Sequence, residues 1–179
     1  VIRVDNGQDG YDWDDVSAEH IIVRVNDADA DPWVVIGQDK PELIDNRVVD
    51  VEKKYSRSQW YFYPDELGEK DLKITGIRLH YTASKDYELL TEVPFVVRMY
   101  NTERDALIDG GYHDYDEYNV AFEDHDNMTV VFDGVVDLSG SSDVTNVLEI
   151  PLDETFEYDS TKNLLVEFDK EWDETYSNV

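Results

Sequence analysis

The chain contains no cysteine, so disulfides, thiolate metal centres and cysteine nucleophiles are all excluded. It is also poor in positive charge: 15 Lys and Arg stand against 43 Asp and Glu, a formal net charge of −28. That sign repels phosphate, so no direct affinity for nucleic acid is expected. No apolar run approaches the roughly eighteen residues of a membrane-crossing helix, so no membrane span is expected. Histidine is sparse and scattered, at His20, His80, His113 and His125. There is no His-Glu-x-x-His helix for zinc, no Gly-x-Ser-x-Gly elbow for a serine nucleophile and no glycine-rich nucleotide loop. Carboxylate pairs for glycoside cleavage cannot be picked out among so many acids. The chain therefore reads as a non-enzyme.

Apolar material is present in quantity. At 41 % hydrophobic and 12 % aromatic, 179 residues suffice for one domain with a real core. High acidity with few aromatics would signal disorder, but here Trp, Tyr and Phe are spread along the whole length. The acid sits on a folded body. Such self-repulsion destabilises a compact state unless counter-ions neutralise it, and Ca2+ or high salt would do so. The chain begins at Val1, which a removed signal peptide or a trimmed start explains equally well. An extracellular or cell-surface location is expected, with the cytosol of a salt-accumulating organism as the competing reading.

Period-two alternation dominates and no helical period is sustained, so the fold class is all-β. Ile77, Leu79 and Tyr81 alternate with Arg78 and His80. Phe95, Val97 and Met99 alternate with Val96, Arg98 and Tyr100, and Leu164, Val166 and Phe168 with Leu165 and Glu167. Further strands are predicted at Ile21 to Val25, Trp33 to Ile36, Arg47 to Val51, Gln59 to Tyr63, Met128 to Val136 and Val144 to Ile150. Turn signals separate them, as at Asp9-Gly10, Asp109-Gly110-Gly111, Asp133-Gly134 and Ser139-Gly140. Roughly ten short strands punctuated in this way predict an antiparallel two-sheet β-sandwich, jelly-roll-like, as a single domain over residues 1–179. Pro64 to Leu67 is the one helical turn expected. Residues 1–54, more acidic and irregular, read as an N-terminal extension or an assembly strand, Val1 to Val4 being apolar enough to join a neighbour's sheet edge.

Three acidic clusters could ligate a hard cation through oxygen. Asp27, Asp29 and Asp31 fall at alternate positions, so in an extended segment their carboxylates share one side. Asp5, Asp9, Asp12 and Asp14 surround two glycines; this is not an EF-hand, because Gly7 and Val16 stand where ligands belong. Asp109, Asp114, Asp116, Glu117, Asp124 and Asp126 lie in a long tyrosine-containing stretch of the kind that carries function. A solvated acidic loop is the alternative for each. With carboxylates and amides but no thiols as donors, Ca2+ is the expected ion.

Trp60, Tyr61, Phe62 and Tyr63 are consecutive, so two of them must face away from a single core. That outward pair would cover a neighbouring sheet edge, stack on a sugar, contact another subunit or pack against the N-terminal part. Trp13 and Trp172 are further possible anchors between chains. Asn127-Met128-Thr129 fits the N-glycosylation acceptor pattern, a match close to chance by itself.

From Tyr55 to Asp169 the chain resembles β-sandwich modules repeated in large secreted surface proteins of bacteria, often cargo of the type IX secretion route. The resemblance rests on YSRSQWYFYPDELGEKDLKITGIRLHY, on NMTVVFDGVVDLSG and on IPLDETFEYDSTKNLLVEF, in that order. It implies secretion and a surface or adhesive setting. The heavy acid load and the long stretch from Asp109 to Asn127 depart from that pattern. In character alone, the chain is similar to acidic, Cys-free subunits of archaeal extracellular tubes, the cannulae. Together these readings predict a Ca2+-stabilised structural subunit that partners with copies of itself in a filament, tube or layer. The alternative is an adhesive or carbohydrate-binding module of a larger cell-surface protein.

Overall fold

A computed structural model of the chain describes residues 4–5, 15–25, 33–36, 47–50, 55–68, 70–83, 91–104, 123–141 and 145–171. They form two antiparallel sheets with almost no helix. The strands are β1 (Val4–Asp5), β2 (Asp15–Val25), β3 (Trp33–Ile36), β4 (Arg47–Asp50), β5 (Tyr55–Phe62), β6 (Leu72–Ala83), β7 (Val93–Thr102), β8 (Thr129–Val136), β9 (Asn146–Tyr158) and β10 (Asn163–Glu171). One sheet has the order β1-β5-β10-β7-β8; the other has β3-β2-β6-β9, with β4 also paired to β2. Strands from the acid-rich first 54 residues thus take places in both sheets.

Alternating side chains of the two sheets meet in one core. Trp60, Phe62, Phe95, Val97, Met99, Leu164, Val166 and Phe168 of the first sheet pack with Val23, Val25, Ile74, Ile77, Leu79, Tyr81, Leu148, Ile150, Phe156 and Tyr158 of the second. Phe168 anchors an aromatic group, edge-on to Trp60 at 6.1 Å and tilted against Phe95 at 6.0 Å. Each such pair adds about 0.5–1.5 kcal/mol beyond the area it buries. Beta-bulges keep the pattern in phase. A register shift between Ile74 and Gly76 lets Leu72 and Ile74 share the inner face with Ile77 and Leu79.

Most predicted strands fall where alternation placed them; a 3-10 turn forms at His125–Asn127, and the expected helical turn forms as α1 (Pro64–Leu67). Glu66 accepts the Tyr63 amide hydrogen at 2.7 Å at its start. Gly68, at φ 88°, ends it and donates its N–H to the Pro64 carbonyl. β9 is longer than its sequence pattern, running past Pro151 to Tyr158. It lies at the end of its sheet's strand order, where a residue without an N–H is tolerated.

The first sheet's last strand, β8, carries its own restraint on further pairing. Its register to β7 shifts between Val97 and Arg98, and the Asp133 N–H donates to the Asp153 carboxylate of β9 at 3.1 Å. A bulge and a side-chain cap both discourage a foreign strand from adding there.

Candidate functional site

The outer face of the first sheet is built by the residues that alternate with its core positions. Register places Gln59 of β5, Glu167 of β10 and Arg98 of β7 side by side across three strands. The neighbouring row holds Arg57 and Asp169, with Asp5 of β1 opposite Arg57. The row on the opposite side of Glu167 holds Tyr61, Leu165 and Tyr100.

Glu167 is fully buried, 0 % exposed, although it faces away from the main core. Its carboxylate accepts from Arg98 at 2.9 Å and from Gln59 at 2.7 Å, and Arg57 stands 3.9 Å away. Arg98 also donates to Asp169 at 2.9 Å. A buried carboxylate persists only when its lost hydration is replaced by such partners. Here two guanidinium groups and an amide replace it.

What covers this cluster is a short strap, residues 123–128, that returns to β8. Gln59 grips it as a strand would: its Nε2 donates to the Glu123 carbonyl at 2.9 Å and its Oε1 accepts the Glu123 N–H at 2.8 Å. Arg104, at the end of β7, bridges to the Glu123 carboxylate at 2.8 Å. Arg57 donates to His125 Nδ1 at 3.2 Å. Met128 then plugs the strap into a second apolar cluster with Tyr61 and Leu165, against which Tyr63 and Tyr100 pack. Tyr61 and Tyr63 meet edge to face at 5.3 Å, and Asn163 donates to the Tyr61 hydroxyl and to the Arg104 carbonyl. The outward aromatic pair is therefore taken up within the chain. Among the described aromatics only Tyr55 is strongly exposed.

Of the residues expected to ligate a cation, Asp124 and Asp126 are both exposed, on the strap, and flank His125. Ligand atoms of Asp124, His125 and Asp126 lie within 4.8 Å of one another, as do those of His125, Glu167 and Asp169. Asp124 already accepts the Asp126 N–H at 3.1 Å, capping the turn His125–Asn127. In the second group two arginines already neutralise the carboxylates, which opposes a metal ion there. Asp5 belongs to β1, in register with Arg57 of β5. Asp9, Asp12, Asp14, Asp27, Asp29, Asp31, Asp109, Asp114, Asp116 and Glu117 lie outside the described residues, as do Trp13 and Trp172.

Sequence alternation marked Glu167 as a simple outward residue and missed its cluster. The available signal was the run Leu164-Leu165-Val166, apolar on both faces, which announces a strand covered on both sides. Elsewhere on the surface, Trp33 of β3 lies under the Arg78 guanidinium at 3.9 Å, and Arg78 bridges to Glu149 at 2.8 Å. In the turn before β10, Asp159 accepts from the Thr161 hydroxyl and amide, which hold its carboxyl below the usual range.

Comparisons with family models, with curated proteins and with solved structures give no match.

Proposed function

We propose that the chain is a secreted, non-enzymatic structural subunit, a Ca2+-stabilised sandwich of jelly-roll type that assembles with copies of itself into an extracellular filament, tube or layer. One observation carries this reading: every arginine and lysine whose side chain is described is already engaged within the chain. Arg57, Arg98 and Arg104 hold the acids of the strap cluster, while Lys73, Arg78 and Lys162 pair with Glu157, Glu149 and Glu103. Arg24 lies over Trp33, and Lys70 and Lys170 have partners as well. Among the described residues no cation is left for exposed acids such as Asp65, Asp71, Asp124, Asp126, Asp137 and Glu154. Two copies at −28 each approach only if external cations intervene. A divalent ion does so while bridging carboxylates of both.

Light scattering tests it. Purified chain titrated with CaCl2, then with a chelator, should grow and shrink in particle size, while NaCl at matched ionic strength should not reproduce the growth. A size that is constant through both additions removes the proposal. The glycan-binding alternative gains no support from Tyr61 and Tyr63, which already pack against Met128 and Leu165.

A further inference from the structure

We infer that Asn127 is an acceptor for an N-linked glycan; the inference rests on the proposed secretion and on no other part of that reading. In sequence Asn127-Met128-Thr129 is the only Asn-x-Ser/Thr triplet in the chain, which carries little weight by itself. The geometry adds what the triplet lacks. Met128, extended at φ −94° and ψ 150°, carries the chain from the 3-10 turn His125–Asn127 into β8. Met128 is buried at 8 % exposure in the cluster with Tyr61 and Leu165, and both Asn127 and Thr129 are exposed. The amide and hydroxyl that a transferase must engage together therefore both belong to solvent-exposed residues. The backbone beneath them is fixed, because the Asn127 N–H donates to the Asp124 carbonyl at 3.1 Å and the Met128 N–H to the His125 carbonyl at 3.1 Å. A glycan there needs no rearrangement of the fold.

The co-reactant is a lipid-linked oligosaccharide. The Asn127 amide nitrogen bonds to the first sugar's C1 and loses one proton to a base. The C1–O bond to the lipid pyrophosphate breaks, and that group leaves with the electron pair. The product would carry its sugar where the strap enters β8, beside the strand already restrained by its bulge and by Asp153. A bulky hydrated group at that end adds a further bar to pairing along β8.

The test is expression of the full chain behind a cleavable secretion signal in a host with an oligosaccharyltransferase, followed by intact-mass measurement and endoglycosidase digestion. One glycan per chain is expected, removed by the enzyme, absent in N127Q and T129A, and kept in T129S, which retains the hydroxyl. Secreted, folded wild-type chain of unmodified mass overturns the inference, as does a glycan that survives in N127Q. Neither result depends on Ca2+-driven assembly, which is read separately by scattering on unglycosylated protein.

Discussion

Glu167 is the residue on which the outer face of the first sheet turns. Removing one partner of a buried ion pair strands the other charge and costs about 3–5 kcal/mol, whereas replacing both by apolar groups is close to neutral. R98M should therefore lower unfolding free energy in urea by about that amount, and R98M combined with E167M should recover most of it. Additive losses in the double variant would show that the two side chains are not coupled. Two core tyrosines set the alkaline limit. Burial, with Asp137 adding to it, pushes Tyr81 from 10.0 up to about 12. Burial, then Asp159, Asp71 and Asp65, pushes Tyr158 up to about 12 as well. Both hydroxyls donate to carbonyls, of Ser139 at 3.0 Å and of Lys162 at 2.8 Å, a role the phenolate cannot fill. Folding thus favours the neutral form, so this contribution is whole below pH 10.0 and is lost as pH rises toward about 12. Stability measured across that window should fall, and Y81F should flatten the fall.

At the scale of the element, side chains hold the strap to the sheet, and Gln59 alone engages both the N–H and the carbonyl of Glu123. Q59A should leave the Glu123 N–H and carbonyl without partners, at a cost of about 1–3 kcal/mol. Hydrogen exchange followed by mass spectrometry should show residues 123–128 losing protection while β6 and β7 keep theirs. Protection lost uniformly would mean that the strap and the sheets unfold as one unit. The strands themselves were legible because one face of each is core: Ile77, Leu79 and Tyr81, or Phe95, Val97 and Met99, announce their period directly. The strap was not. Its defining contact, Gln59 to Glu123, joins residues far apart in sequence through an amide that no local pattern marks.

For the whole molecule, charge dominates. Screening shortens the reach of surface repulsion from about 10 Å at 0.1 M salt to about 3 Å at 1 M. The melting temperature of a chain at −28 should therefore rise with KCl. On the proposed Ca2+ reading, CaCl2 at matched ionic strength should raise it further, because binding at oxygen sites would add to screening. Equal rises in the two salts would mean that the carboxylates are only solvated.

Composition and period two were enough by themselves to determine an all-β body with a strongly acidic surface, since net charge and alternation are local sums over residues. Tertiary structure alone decided that Tyr61, Tyr63 and Glu167, outward by alternation, would be covered, and that the arginines would be spent on internal acids. Those outcomes depend on which strands lie side by side and on a strap folding back over them. Pairing between β5, β10 and β7 is long-range, so no single segment encodes it.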